Sequence, residues 1–274
     1  MRCIMARYPI RQQFWRSEAL PWLEVRNVQD GRTVSYAPHT HETFSIGAIV
    51  GGASSYLNEK TRIEVSEGTV VLMNPGDLHA CNPLQNQPWA YRMFYFDSQW
   101  LNELTGREAH DACHFTQTWT DHTAIFNGLN RLYHIVVDEQ RDALEKACEA
   151  AKLMLTVQQL LRPQARPSDA APALLARVKE KINDEYQAPL TLAELAHTVG
   201  LSVGHLIRLC QQHYGATPHA LLMNRRLHIA REQLKRGAPL AEVALDVGFA
   251  DQAHFQRAFK QHLAVTPKQY RDLL

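Results

Sequence analysis

The sequence lacks the features that would place it in a membrane or disulfide-rich class of protein. No apolar run approaches the ~20 residues of a membrane-spanning helix, and the first 20 residues carry four arginines instead of the apolar segment of a signal peptide. The five cysteines are scattered without C-x-x-C spacing, which is typical of free thiols in a reducing compartment. We therefore expect a cytoplasmic protein that does not contact a membrane.

The sequence also has little net charge, at +1, so its overall composition does not indicate polyanion binding. The charge is unevenly placed, however. Residues 173–274 contain 13 Lys and Arg against 9 Asp and Glu, whereas residues 1–172 contain 16 against 19. A chain of 274 residues with 45% hydrophobic content is long enough for two domains with separate cores.

The last third of the sequence contains one short pattern twice. Leu192 to Gly200 reads LAELAHTVG and Leu240 to Gly248 reads LAEVALDVG, with six of nine positions identical. Beyond the glycines, HLIR at 205–208 is answered by HFQR at 254–257. This agreement indicates a duplicated structural unit.

Each copy has the pattern of two short helices joined by a turn. Gly200 and Gly248 end the first helix of each copy, and Ser202 and Asp251 can cap the second. The apolar residues of the first helices recur at i, i+3, i+4 and i+7, at Leu192, Leu195, Ala196 and Val199 and at Leu240, Val243, Ala244 and Val247. A spacer helix is predicted between the copies, from Pro218 to Arg236.

A duplicated helical pair also occurs in helical-repeat scaffolds. Such scaffolds need about three or more copies to bury a continuous core, and only two are visible. Two helix-turn-helix units with recognition helices about 34 Å apart can instead enter successive major-groove faces of one duplex. The repeat therefore favours double-stranded DNA as a partner.

Residues Tyr186 to Arg271 closely resemble the paired helix-turn-helix domain of the AraC/XylS family of bacterial transcription regulators. Two residues depart from the family pattern: Cys210 replaces an aromatic residue and Ala264 replaces a glycine. The resemblance implies a sequence-specific transcription regulator, more often an activator that contacts RNA polymerase than a repressor. It rests on the motifs LTLAELAHTVGLS, G-x-T-P, E-V-A-x-x-V-G-F, D-Q-A-H-F-x-R-x-F-K and T-P-x-x-Y-R.

The resemblance and the helical periodicity together indicate the DNA-contacting residues. Arg208 and Arg257 can each bind guanine through two hydrogen bonds, and Gln can pair with adenine. A salt bridge to a neighbouring acid is the alternative role for each arginine. We expect His205 and His254 to face inward. The residues assigned to DNA binding are Ser202, Val203, Gly204, Ile207, Arg208, Gln252, Ala253, Gln256 and Arg257.

The N-terminal part has the pattern of many short β-strands, which predicts a sandwich or barrel. It resembles the cupin-type jelly-roll barrel that forms the effector-binding half of many AraC-type regulators. We therefore expect a small-molecule effector in this domain. The predicted strands are Trp22 to Val28, Thr33 to Ala37, Thr43 to Val50, Ala53 to Leu57, Thr61 to Val65, Thr69 to Met73 and Trp89 to Phe96.

Two histidine clusters border these strands, at PHTHE (38–42) and NPGDLH (74–79). Metal-binding cupins use three imidazoles and a carboxylate, but Ser45 and Ile46 stand where the carboxylate is expected. We therefore predict no metal and no cofactor, with a three-histidine metal site as the alternative. The residues assigned to the effector pocket are His39, His41, Glu42, His79, Tyr91 and Tyr95.

Beyond Asp97 the pattern becomes helical, with predicted helices at Ser98 to Leu104, Thr123 to Val136 and Asp138 to Leu161. A seam along the second helix resembles the dimerisation helices of the family and implies a homodimer, although packing against the barrel gives the same pattern. The seam consists of Ile125, Leu129, Leu132 and Ile135.

The predicted fold class is α+β. Residues 1–162 form a cupin-like sensor domain with a helical extension, and the proline-containing residues 163–172 form an exposed linker. Residues 173–274, beginning with a helix from Ala173 to Tyr186, form an all-α DNA-binding domain. We predict a ligand-responsive regulator and not an enzyme. The alternatives are a metal-dependent cupin enzyme fused to a DNA-binding domain, and a constitutive DNA binder whose barrel only dimerises.

Overall fold

An antiparallel sheet with two long helices occupies the N-terminal part of the computed structural model, and helices alone form the C-terminal part. The structure describes residues 12–32, 34–85, 87–106, 113–165 and 173–272. No helix among these residues has the length and apolar character needed to cross a membrane. The predicted α+β class is confirmed.

The sheet has the strand order β1-β2-β7-β3-β5-β9, and β4 and β6 pair with the far half of β3. Among the described strands, β1 and β9 lie at open edges of this order, so the sheet is not the closed barrel that we expected. A separate two-stranded pair joins β8 to β10. The strands are β1 (Gln12–Trp15), β2 (Leu23–Val28), β3 (Phe44–Asn58), β4 (Thr61–Ser66), β5 (Val70–Met73), β6 (His79–Pro83), β7 (Trp89–Phe96), β8 (Cys113–His114), β9 (Trp119–Thr120) and β10 (Gln164–Ala165).

Strand β3 replaces two predicted strands. The first predicted strand ends at Val50 and the second begins at Ala53. In the structure, Gly51 and Gly52 instead allow one long strand to change partners, with a shift of register between Ile49 and Gly51. The near half of β3 pairs with β5 and β7, and the far half pairs with β4 and β6. Gly52 has φ +68°, and a Cβ there would lie 2.0 Å from the carbonyl oxygen of Pro88. Only glycine fits this position.

The structure differs from the sequence analysis at several other places in this part. Val34 to Ala37 form no strand, because their backbone is held by a turn at Gly31 and by the side chain of Asn82. Strands β1, β6, β8 and β9 were not predicted. Strand β1 contains two glutamines, and among the described strands it pairs only with β2. The predicted linker begins as strand β10, and its residues 166–172 lie outside the described part, as does Thr33.

The N-terminal helices are α1 (Ser98–Thr105), α2 (Thr123–Val137) and α3 (Ala143–Leu161). Helix α3 begins later than predicted because the carboxylate of Asp142 accepts a hydrogen bond from the backbone N–H of Glu145 and caps it. The proposed dimer seam on α2 is largely buried within the domain. Ile125, Leu129 and Leu132 are at most 1% exposed and pack into the main core beneath the sheet.

The C-terminal helices confirm the two predicted helix-turn-helix units, α5–α6 and α8–α9. Ser202 and Asp251 cap α6 and α9, and Gly200 and Gly248 adopt the left-handed conformation after α5 and α8. The helices are α4 (Ala173–Glu185), α5 (Leu192–Thr198), α6 (Val203–Tyr214), α7 (Pro218–Lys235), α8 (Leu240–Asp246), α9 (Gln252–Leu263) and α10 (Pro267–Asp272).

Helix α7 joins the two units by contributing to both of their cores. Leu222 packs in the core of the first unit, and Leu227, Ala230 and Leu234 pack in the core of the second. A third, polar face of α7 lies against the N-terminal domain. The predicted spacer helix therefore also contacts the N-terminal domain.

Candidate DNA-binding helices and effector cavity

The residues assigned to DNA binding lie on the surface of the two recognition helices. All of them are exposed except Ile207, which is half-buried. Among the described residues, neither Arg208 nor Arg257 forms a salt bridge or a side-chain hydrogen bond. The structure therefore shows no sign of the alternative salt bridges, and both guanidinium groups are available to an external ligand.

His205 and His254 do not face inward as we expected. Both are exposed, at the same position of α6 and α9, where their backbone N–H groups are capped by Ser202 and Asp251. The inward position belongs to the next residue in each helix, Leu206 or Phe255, which is 0% exposed. Because consecutive helical residues point about 100° apart, the histidines point to the side of each helix.

Three histidines converge on a cavity inside the N-terminal domain. The ring centroids of His39 and His41 each lie 4.5 Å from that of His79. The cavity has an empty volume of about 420 Å³. Tyr91 and Tyr95 also line it, so alternate residues of β7 point inward. The remaining walls are Tyr36, Ile49, Met73, Cys81, Trp89 and Met93.

Hydrogen bonds fix the orientation of these three imidazoles. The Nδ1 atoms of His39, His41 and His79 lie 2.8 to 2.9 Å from the carbonyl oxygens of Ala37, Thr43 and Asp77, respectively. Nδ1 must therefore carry the proton, which leaves Nε2 as an acceptor. Burial lowers the pKa of all three histidines, and the neighbouring rings lower it further for His39 and His41. The cavity thus offers neutral hydrogen-bond acceptors.

The geometry gives no support to a metal site. In the part of the chain that the structure describes, no group of three or more His, Cys, Asp or Glu side chains is placed to hold a metal ion. The Nε2 atom of His41 instead lies 3.2 Å from the hydroxyl of Ser45, one of the residues at the expected carboxylate position.

A second cavity, with an empty volume of about 450 Å³, lies between the sheet and α7. It shares Tyr36, His39, His41 and Tyr95 with the first cavity, so the two adjoin. The C-terminal helical domain supplies its far wall, through Asn224, Leu227, His228, Arg231, His262 and Leu263. A ligand in this cavity would contact both domains.

Arg26 contributes an unusual cation to the second cavity. It is 1% exposed, and its two Nη atoms donate to the backbone oxygen of Leu263 and the side chain of Gln12, at 3.0 and 2.7 Å. Its Nε atom has no partner, and no carboxylate of the described chain pairs with it. Burial opposes its charge, but the neighbouring Tyr36 and Tyr91 keep its pKa above the ordinary value. Arg26 is therefore a buried cation without a counter-ion.

Helix α7 carries a polar stripe that sequence analysis missed. Its members recur at i, i+4, i+7 and i+11 and are Asn224, His228, Arg231 and Lys235, here called the α7 stripe. Asn224 bonds to Thr40 at 2.9 Å, and His228 lies 3.3 Å from Glu42. Arg231 and Lys235 lie 3.2 and 3.5 Å from the carboxylate of Glu24. The helical spacing of these polar residues was the available signal, but it does not identify the partners.

One residue assigned to the effector pocket faces elsewhere. Glu42 lies outside the histidine cavity, where its carboxylate pairs with Arg225 and His228 of α7. Arg92, the residue after Tyr91 on β7, points away from the cavity and donates a hydrogen bond to Asn130 at 2.6 Å.

Comparison with protein families follows the same division of the chain. The model described as an AraC-like ligand binding domain matches residues 22–157, and the model of a helix-turn-helix domain matches residues 195–272. The chain belongs to the AraC family of transcription regulators. AraC-type regulators bind DNA and small-molecule effectors, and this chain has the domain for each. These matches identify a regulator and remove the enzyme alternative.

Curated relatives support the AraC assignment over most of the chain. An uncharacterized HTH-type transcriptional regulator of Bacillus subtilis, YbfI, is 28% identical over 229 residues, covering 79% of this chain and 80% of the relative. The raffinose operon transcriptional regulatory protein RafR of Pediococcus pentosaceus is 26% identical over 196 residues, covering 68% and 69%.

Solved structures show the same AraC-type fold. Apo ToxT from Vibrio cholerae superposes with a TM-score of 0.59 at 12% identity, covering 97% of each chain. ToxT bound to an unsaturated fatty acid gives a TM-score of 0.59 at 13% identity, covering 97% of this chain and 98% of ToxT. The order of a β-rich domain followed by two helix-turn-helix units is therefore shared.

Proposed function

We propose that α6 and α9 recognise specific DNA sites and that a carboxylate-bearing small molecule, bound between the sheet and α7, controls this recognition. The observation that carries the proposal is the position of the second cavity. Its wall includes α7, the helix that holds both helix-turn-helix units. An occupant of the cavity therefore acts on both units at once.

Recognition of bases falls to the surface residues of α6 and α9. Arg208 and Arg257 supply guanidinium groups, and Gln252 and Gln256 supply amides, all exposed and suited to major-groove edges. Ser202 and Val203 lie at the start of α6. Gly204 and Ile207 on α6, and Ala253 on α9, would make close or apolar contacts with the bases. The short side chains allow the backbone to approach the DNA closely.

The effector is a carboxylate because Arg26 lacks a counter-ion. A buried guanidinium is costly unless an anion completes its hydrogen bonds. A ligand carboxylate at its free Nε would supply both, and the adjoining cavity offers mainly apolar and aromatic side chains to the rest of the molecule. The fatty acid bound to ToxT, a structural relative, is a ligand of this class. His39 would accept a hydrogen bond from a polar group of the ligand through its Nε2 atom, because its Nδ1 atom is bound to the carbonyl oxygen of Ala37.

Control of DNA binding follows from differential contact. The ligand stabilises whichever arrangement of α7 and the sheet it binds better. The α7 stripe forms hydrogen bonds and ion pairs with the N-terminal domain. A ligand anion near Arg231 therefore competes with Glu24 for the guanidinium group of Arg231. Ligand binding then changes the strength of the contacts between α7 and the N-terminal domain.

A homodimer is supported by an apolar stripe on α3, not by the buried α2 seam. Leu144 and Leu155 are 74% and 48% exposed, and Cys148 and the half-exposed Ala151 lie between them at i+4 and i+7. In an antiparallel pair, Leu144 of one copy meets Leu155 of the other, and Cys148 meets Ala151. The stripe is therefore complementary to itself in shape.

The remaining parts of the proposal follow the family resemblance. The protein works in the cytoplasm as an activator that contacts RNA polymerase, with residues 1–162 as the sensor, 163–172 as the connection and 173–274 as the DNA-binding domain. The free cysteines among the described residues agree with a reducing compartment.

The test compares matched ligands on the full chain. Saturated and unsaturated fatty acids of several lengths, and the alcohols of the same chains, are screened by thermal shift and by the affinity for a duplex selected from a random pool. We expect acids to raise the melting temperature and to change DNA affinity, while the alcohols do not. In Arg26→Met the acid response should vanish. Equal responses to acids and alcohols, or none to either, contradict the carboxylate proposal.

A further inference from the structure

We infer that His205 and His254 form a matched pair of DNA-phosphate contacts, one on the side of each recognition helix. This inference rests on the proposed entry of α6 and α9 into the major groove. It assigns these residues to the DNA backbone and not to the base edges.

The two histidines occupy equivalent positions. Each follows its N-cap residue by three and precedes an arginine by three, Arg208 or Arg257, and each is exposed. The cap residues Ser202 and Asp251 hold the backbone N–H groups of the two histidines. Both rings therefore project from a fixed first turn of helix.

The direction of the rings distinguishes them from the base-reading residues. With about 100° between consecutive residues, Gly204 and Arg208 lie within about 40° of each other, and His205 lies about 60° beyond Arg208. An α-helix about 10 to 12 Å wide fills a major groove about 12 Å wide. Residues at its centre then face the groove floor, and residues to the side face the phosphate walls. The same geometry applies to Ala253, Arg257 and His254.

The rings have the chemistry for such a contact. In the described part of the chain, the side chain of His205 makes no hydrogen bond, ion pair or ring contact. The ring of His254 packs against Phe249, with centroids 5.1 Å apart and ring planes at 83°, and it forms no hydrogen bond with the described residues. An imidazole N–H can thus donate to a phosphate oxygen. Contacts of this kind set the position of a protein on DNA without reading sequence.

The experiment measures two affinities for each of His205→Ala, His254→Ala and the double variant. One probe is a duplex selected by the wild-type protein from a random pool, and the other is a scrambled duplex of equal length. We expect each single variant to bind both probes about 3- to 10-fold more weakly, as for loss of one hydrogen bond. The ratio between the probes should stay unchanged. His134→Ala, at an exposed histidine on α2, is the matched control and should bind as the wild type does.

A second measurement uses the folded wild-type protein and a modified probe. Neutral methylphosphonates replace single phosphates of the selected duplex in turn. We expect at least one position that weakens the wild type and leaves His254→Ala unaffected. Unchanged affinity of both single variants, or a loss confined to the selected duplex, overturns the inference. If the wild type itself prefers no duplex, the proposed DNA recognition fails, which is a separate result.

Discussion

Arg231 of α7 and Glu24 of β2 are buried against each other across the domain boundary, with Nη2 of Arg231 3.2 Å from Oε1 of Glu24. The carboxylate also accepts from Arg16 at 2.8 Å and from the hydroxyl of Tyr270 at 3.0 Å. Burial alone would raise the pKa of Glu24, but Arg16, Arg231 and Lys235 outweigh it and hold the pKa far below its ordinary value. One ionised carboxylate thus joins β2, α7 and α10.

Glu24→Gln should therefore be strongly destabilising. The substitution keeps the size of the side chain but leaves buried cations, Arg231 above all, without an anion. We expect the free energy of unfolding to fall by about 3 to 5 kcal/mol, the usual cost of breaking a buried ion pair by removing one partner. Urea unfolding measures the change. Glu18→Gln, at an exposed carboxylate in the same segment, should change stability little. Equal small effects of both variants would refute the role of Glu24.

Stability should decrease as the pH falls below about 6.5. The pKa values of His39, His41 and His79 are lower in the folded protein than in the unfolded chain, mainly because of burial. Their contribution is fully present above the unfolded pKa of about 6.5 and is lost as the unfolded chain takes up protons. Each histidine adds up to about 1.4 kcal/mol per pH unit.

Thermal unfolding between pH 5 and pH 8 measures this dependence. His41→Gln should show a shallower slope than the wild type, and His134→Gln, at an exposed position, should not. A slope that is the same in all three proteins would show that the buried histidines are not its source.

Gly52→Ala should destabilise the bend of β3. The added Cβ would meet the carbonyl oxygen of Pro88 at 2.0 Å, in addition to the cost of φ +68°. We expect a loss of more than about 2 kcal/mol, since backbone strain adds to the clash. Gly68→Ala is the control, because φ is +94° but nothing lies within 4 Å of the new Cβ. A loss no greater than that of the control would mean that the close approach to Pro88 is unimportant.

Arg257→Ala should relax the preference at one base pair by about 1 to 3 kcal/mol. The guanidinium has no other bond in the described chain, so its removal should not affect folding. Selection of binding sites by the variant and by the wild type, compared position by position, measures the effect. A uniform loss across all positions would assign Arg257 to phosphate instead.

Leu155→Glu should convert the proposed dimer to a monomer. The charge would fall at one end of the α3 stripe, opposite Leu144 of the second copy. Sedimentation of the wild type and the variant measures the oligomeric state. Leu160→Glu is the matched control, because Leu160 is 37% exposed but lies off the stripe. A wild type that sediments as a monomer, or a variant that still dimerises, contradicts the assignment.

The helix-turn-helix units were predictable because their signals are local. Ser202, Gly200 and the apolar positions of α5 lie within a few residues of one another, and each has one physical role. The strand β3 was not predictable in the same way. Its glycines match a turn equally well, and the choice depends on Pro88, which is far away in sequence.

The candidate sites divide similarly. Exposure of Arg208 and Arg257 follows from helical periodicity. The shared inward direction of Tyr91 and Tyr95 follows from the alternation of side chains along a strand, once one face of β7 is fixed. The pairing of Arg231 with Glu24 spans 207 residues and leaves no local trace. We predicted that His205 and His254 face inward because each lies beside a buried residue. Neighbouring residues of a helix point about 100° apart, so both histidines point to the side instead.

Each face of helix α7 contacts another part of the protein. Two of its sides complete the cores of the DNA-binding units, and the third bonds to the N-terminal domain. A variant with a damaged effector response should consequently regain that response most readily through a second substitution on α7. Other substitutions on this helix should disturb folding, ligand response and operator choice together.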